Sequence, residues 1–167
     1  MKEENKKQLG QLKGDLNSDE KSVVLNAVDR LKELGHSSLI PSVIKAWKRH
    51  PEMEIRQPIE KLLCSLKDTA ALPEIIRWLN NENDVKLRTM LLTAIWQSGL
   101  NAKSYGNELL KYIERFGPEE LIEITSIIDV SEGLDVDDDM RRKLERLTQS
   151  EKDQFRRTLM TDIKEGL

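Results

Sequence analysis

Apolar positions along residues 20–79 fall into two helical pairs that superpose after a shift of 32 residues. Laying 20–47 over 52–79 aligns Val23 with Ile55, Leu31 with Leu63, Leu34 with Leu66, Pro41 with Pro73 and Ile44 with Ile76. A second shift of 32 brings Glu52, Ile55, Arg56 and Leu63 onto Asp84, Leu87, Arg88 and Ile95. Self-similarity at this period predicts stacked helical units, each covering its apolar face with its neighbours.

In the first pair, Ser18 with Asp19 and Glu20 supplies acceptors and negative charge for a helix start. Val24, Ala27, Val28, Leu31 and Leu34 then form one buried stripe, and Gly35 provides the stop. Its partner helix starts at Ser37 or Ser38 and carries Leu39, Ile40, Val43, Ile44 and Trp47. It ends at His50-Pro51, because proline disfavours helical backbone in the residue before it. The second pair has Ile55, Ile59, Leu62, Leu63 and Leu66, with Pro58 delaying or kinking the first helix. Leu72, Ile75, Ile76 and Leu79 follow, closed by Asn80-Asn81. The third pair has Val85, Leu87, Met90, Leu91, Ala94 and Ile95 closed by Gly99. Leu109, Leu110 and Ile113 follow, closed by Gly117.

Beyond Gly117 the period weakens. Pro118-Glu119-Glu120 opens a strongly apolar helix through Leu121, Ile122, Ile124, Ile127 and Ile128. After the acidic stretch 131–139, Met140, Leu144 and Leu147, then Phe155, Leu159, Met160 and Ile163, predict one or two amphipathic helices. Ser150 and Asp153 resemble the box that opens the last. At the other end, Leu9, Leu12 and Leu16 are the apolar anchors of a polar segment, either a capping helix or a frayed tail. The expected organisation is a polar or capping segment over 1–17, three repeats over 18–116, and a degenerate fourth pair with an acidic cap over 117–167.

These anchors resemble the HEAT-like family of helical repeats, especially its short bacterial form. The residues that carry the likeness are Glu52, Ile55-Arg56, Leu62-Leu63, Asp68 and Pro73 in the second repeat. In the third they are Asp84, Leu87-Arg88, Ala94-Ile95 and Gly99. The first repeat has Glu20, Val23, Leu31, Gly35 and Pro41, with Val24 where the family has arginine. The resemblance implies an all-α fold, an α-solenoid in which stacked antiparallel helix pairs build a right-handed superhelix. It also implies a scaffold whose second helices line a concave binding face, with Arg56 and Arg88 in structural roles between repeats. The family includes lyase-related and DNA-repair members as well.

Composition narrows the class. The chain has 167 residues, 34% charged and 4% aromatic, with net charge −3. Residues 1–50 carry 10 basic and 7 acidic side chains, whereas 117–167 carry 8 and 14. A duplex-binding protein usually shows an overall basic surplus. The single cysteine, Cys64, excludes an intramolecular disulfide framework and fits a reducing compartment. No signal-peptide pattern and no membrane-length apolar run is present, so a cytoplasmic protein with no membrane partner is expected.

Little in the sequence carries chemistry. A calcium loop beginning at Asp135 would place carboxylates at Asp135, Asp137 and Asp139. It meets Met140 where glycine is required and Arg146 where a bidentate glutamate should close the site. Two histidines, His36 and His50, and one cysteine do not make an ordinary zinc site. Cys64, between Leu63 and Leu66, reads as a buried structural thiol. No catalytic, cofactor-binding or metal residue is assigned.

The second helices are more informative. Lys45 and Arg77 superpose, and Lys111 follows in the third repeat. Lys48, Arg49 and Trp78 add charge and an aromatic ring to the face built by 39–49, 72–79 and 105–115. Lys45, Lys48, Arg49, Arg77, Trp78 and Lys111 are therefore the candidate partner-binding residues. A basic ladder with a tryptophan suits an acidic protein or peptide, with a nucleic-acid backbone as the alternative. A lyase-related or cofactor-handling role is the third reading, and a monomer or weak oligomer is expected.

Overall fold

A computed structural model describes residues 3–34 and 37–167. Every regular element among them is helical. Ten α-helices follow in order: α1 Glu3–Leu16, α2 Lys21–Leu34, α3 Ile40–Arg49, α4 Met53–Cys64, α5 Ala71–Asn81, α6 Val85–Ser98, α7 Gly106–Leu109, α8 Pro118–Ser131, α9 Asp138–Ser150 and α10 Gln154–Glu165. Short 3-10 turns at Ser37–Leu39, Lys103–Tyr105 and Ile113–Arg115 complete the set. The Gly35 stop, His36 and the Leu34 side chain lie outside the described residues.

The helices pack in two rows. α2, α4, α6, α8 and α10 each pack on the next, while α1, α3, α5 and α7 pack in succession beside them. The α1–α2, α3–α4 and α5–α6 contacts join the rows. The expected stripes form the seam: Val24, Ala27, Val28 and Leu31 of α2, Ile55, Ile59, Leu62 and Leu63 of α4, and Leu87, Leu91, Ala94 and Ile95 of α6 are buried. On the other side Ile40, Val43, Ile44 and Trp47 of α3 and Leu72, Ile75, Ile76 and Leu79 of α5 complete the core. α1 is a helix whose Leu12 and Leu16 are fully buried.

The 32-residue period is also an interaction pitch. His50 Nε2 lies 3.1 Å from the Ser18 carbonyl, Arg88 pairs with Glu120, and Lys143 donates to the Lys111 carbonyl at 2.5 Å, each across 32 residues. Equivalent positions in successive units thus touch directly. Asp84 accepts from the Lys86 and Leu87 amides at the start of α6, and Gly99 closes that helix at φ 69. This left-handed backbone is readily adopted only by glycine.

Four local expectations are corrected. The expected continuous helix over 105–115 breaks into a 3-10 turn, the four-residue α7 and a second 3-10 turn. The chain at Asp135 and Val136 crosses here, with the Asp135 amide donating to the Lys103 carbonyl at 2.8 Å. A Cβ at Gly106 would come within 2.3 Å of the Asp135 carbonyl oxygen, so glycine permits the crossing. Asp153, which accepts from the Arg156 amide at 2.7 Å, caps α10, whereas Ser150 belongs to α9. Phe155, expected on the buried stripe, is exposed at the first turn of α10. Val85, at the first position of α6, is exposed as well.

The acidic stretch acts as a helix start. Asp137 accepts from the Met140 amide at 2.8 Å, and Asp139 pairs with Arg142 one turn on. Among the described residues no group of His, Cys, Asp and Glu is arranged to hold a metal, and no helix is long and apolar enough to cross a membrane.

Candidate functional site

The packing of α3 on α5 brings part of the basic face together. Lys48 and Trp78 meet, with Nζ 6.0 Å from the ring centre. Lys48 also forms an ion pair at 2.7 Å with Glu82, whose side chain is largely buried. Burial pushes the Glu82 carboxyl up, but Lys48 and the Asp84 and Asn83 amides outweigh it and hold the group below its usual range. Lys45 stands one turn before Lys48 on the same face, exposed and without an ionic partner among the described residues. α3 carries Lys45, Lys48 and Arg49 and no acidic residue.

The other candidates are engaged elsewhere. Arg49 donates to the Asn17 carbonyl and lies 3.9 Å from Asp19. Arg77 pairs with Glu74 on its own helix. Lys111 stands 5.2 Å from the Tyr112 ring centre, which Arg115 approaches to 4.3 Å. Of the candidate residues, Lys48 and Trp78 are the two brought together across α3 and α5. The Lys48–Glu82 pairing spans 34 residues and left no local signal in the sequence.

A second feature was not foreseen. The row of α2, α4, α6, α8 and α10 holds an open groove of about 670 Å³ between α4 and α6. Met53, Gln57, Lys61 and Cys64 line one side at helical spacing, and Lys86, Thr89, Thr93 and Gln97 line the other. Its inner wall is fixed by Trp47, whose indole N–H donates to Glu60 at 2.9 Å. The Arg56 guanidinium lies 3.7 Å from the Trp47 ring centre and its Nε donates to the Trp47 and His50 carbonyls. Cys64, expected to be buried, is half-buried on this groove. Helical periodicity marks its edge position on the stripe but not the space left open between α4 and α6. Burial, then the Glu60 and Glu123 carboxylates, push its thiol above the usual range, away from the reactive thiolate.

No protein-family model, curated protein or solved structure matches this chain.

The remaining displaced carboxylates belong to surface ion pairs. Glu114 is held down by Lys143 against the opposing effect of burial, and Glu145 by Lys164 and Gln149. Glu52 is lowered by its own backbone amide and by Lys21, which also reaches Glu54. All four resolved carboxylate shifts point downward, as in structural pairing, rather than upward toward a general acid.

Proposed function

We propose that the chain is a HEAT-like α-solenoid that works without catalysis, as a scaffold holding an acidic protein segment on its second-helix face. The solenoid reading is supported by the two rows of successively packed helices and by the bonds that recur across 32 residues. It is also supported by an accessible surface of 9217 Å², above the roughly 8,500 Å² of a compact monomer of this mass. The expected concave face is then formed by α3, α5 and the 105–115 segment.

The observation that carries the binding reading is the Lys45, Lys48 and Trp78 grouping. Lys45, with no ionic partner among the described residues, stands one turn from Lys48, whose Nζ lies 6.0 Å from the Trp78 ring centre while it pairs with the largely buried Glu82. A positioned ammonium beside a half-buried ring suits a partner that offers a carboxylate next to an apolar side chain. The cysteine and carboxylate shifts support the non-enzymatic reading, because none moves a group toward nucleophilic or acid–base chemistry near neutral pH.

Affinity capture of the tagged full chain from native-host lysate, with and without nuclease, tests this reading. A stoichiometric protein that survives nuclease and is lost from the Lys45→Glu with Arg77→Glu variant is the expected result. Partners that vanish with nuclease would replace the scaffold reading with a nucleic-acid one.

A further inference from the structure

Helix α5 separates two aromatic rings, each with cations beside it. On one flank Trp78 is half-buried, with Lys48 Nζ on α3 6.0 Å from its ring centre. On the other flank Asn80 donates to the Glu108 carbonyl at 3.0 Å, and its own carbonyl accepts from Arg115 at 3.3 Å. The Arg115 guanidinium lies 4.3 Å, and Lys111 Nζ 5.2 Å, from the ring centre of Tyr112, which is half-buried as well. Trp78 and Asn80 are two positions apart, about 200° around a helix of 3.6 residues per turn. The two rings therefore stand on opposite sides of α5.

The charge left unmatched on this face is positive. Glu82 pairs with Lys48, Glu74 with Arg77 and Glu114 with Lys143. Of the carboxylates on α5, Glu82 and the 105–115 segment, Glu108 is left without an ionic partner among the described residues. Lys45 on α3, and Lys111 and Arg115 beyond α5, are exposed cations in the same position. One free cation stands a turn from the Lys48 that meets Trp78, and two stand at Tyr112.

Given the scaffold reading, on which this rests, we infer that the acidic segment crosses α5 in extended form and is held at both flanks. At each flank an apolar side chain meets the ring and a neighbouring carboxylate meets the free cations, Lys45 at Trp78 and Lys111 with Arg115 at Tyr112. A helix with its side chains is about 10–12 Å across, and an extended chain advances about 3.3 Å per residue. The two acidic–apolar units of the partner thus lie roughly three to four residues apart. A helical partner would need about seven residues for the same span at 1.5 Å per residue, but a segment of like charges repels itself and extends. Tyr112 and Arg115 thereby join the binding residues.

Fluorescence anisotropy of labelled peptides titrated with the full chain tests this. The probes carry one Asp-Leu unit, two units directly adjacent, two units about four residues apart in a Gly-Ser host, or two about seven apart in an Ala-rich helical host. The four-residue spacing is expected to bind about tenfold tighter than the adjacent pair of equal charge, because its second unit docks at high effective concentration. Lys111→Glu with Arg115→Glu, and separately Lys45→Glu, are each expected to reduce that peptide to the affinity of the single unit, with unchanged helical circular dichroism. Equal affinity at both Gly-Ser spacings, tightest binding of the helical peptide, or a folded variant that keeps the preference would overturn the two-flank inference while leaving an acidic partner in place. Failure of every peptide to bind would overturn it together with the acidic-segment reading.

Discussion

Arg88 and Glu120, 32 residues apart, form a bidentate ion pair buried between α6 and α8, with Nε–Oε1 at 2.6 Å and Nη2–Oε2 at 3.3 Å. Their side chains are 5% and 1% exposed. Arg88 also donates to the Glu82 and Asn83 carbonyls, and Glu120 accepts from the Gly117 amide that opens α8. The pair is thus satisfied on all sides. It occupies the repeat position filled by Val24 and Arg56 in the earlier units, so one register position changes from apolar to cationic to anionic along the stack.

Removing one partner leaves the other as an uncompensated buried charge. Arg88→Ala or Glu120→Ala is expected to destabilise the chain by about 3–5 kcal/mol, whereas Arg88→Met with Glu120→Leu together costs less than either single change. Urea denaturation at pH 7 measures all three. A double variant as unstable as the sum of the singles would show that the pair does not act as a unit.

Glu82 links the candidate face to this seam, accepting from Lys48 while its backbone carbonyl accepts from Arg88. Its carboxyl is held below the usual range in the folded chain. The stabilisation is therefore present above the unfolded carboxyl range near pH 4.3 and is lost as pH falls through the lower folded value. Glu82→Gln is expected to cost about 1–3 kcal/mol at pH 7. The wild type and the variant should converge as pH falls through that lowered folded value. A difference that persists undiminished at the lowest pH would place the effect in packing rather than charge.

Gly106 is expected to tolerate nothing larger. The neighbour a Cβ would strike is backbone, the Asp135 carbonyl at 2.3 Å, with Val136 Cγ1 at 2.8 Å. Gly106→Ala should cost about 1–3 kcal/mol or more through overpacking. Gly99→Ala meets open space and should cost about 1 kcal/mol through its positive φ alone. Thermal unfolding of the two variants separates the mechanisms, and equal losses would refute the crossing as the cause.

The repeated stripes were legible because Val24 to Leu31, Ile55 to Leu63 and Leu87 to Ile95 each carry a helical period, and that period survives a 32-residue shift. What escaped was set by distant contacts. The helix expected over 105–115 fails because Asp135, thirty residues on, crosses at Gly106. Cys64 is open to the groove because α4 and α6 leave space between them, which neither helix records. The basic ladder was visible as a list of cations, but not the division between Lys45, which has no ionic partner among the described residues, and Lys48 and Arg77, which Glu82 and Glu74 hold. Asp153 rather than Ser150 caps α10 because α9 runs on through Ser150.

The scaffold claim is tested most directly by placing a photo-crosslinking residue at position 45 of the full chain in native-host cells and identifying what it captures by mass spectrometry. A discrete protein joined through an acidic segment, and not captured from position 57 on the groove between α4 and α6, is the expected result. Capture of nucleic acid at position 45, or of the same protein from both positions, would contradict it.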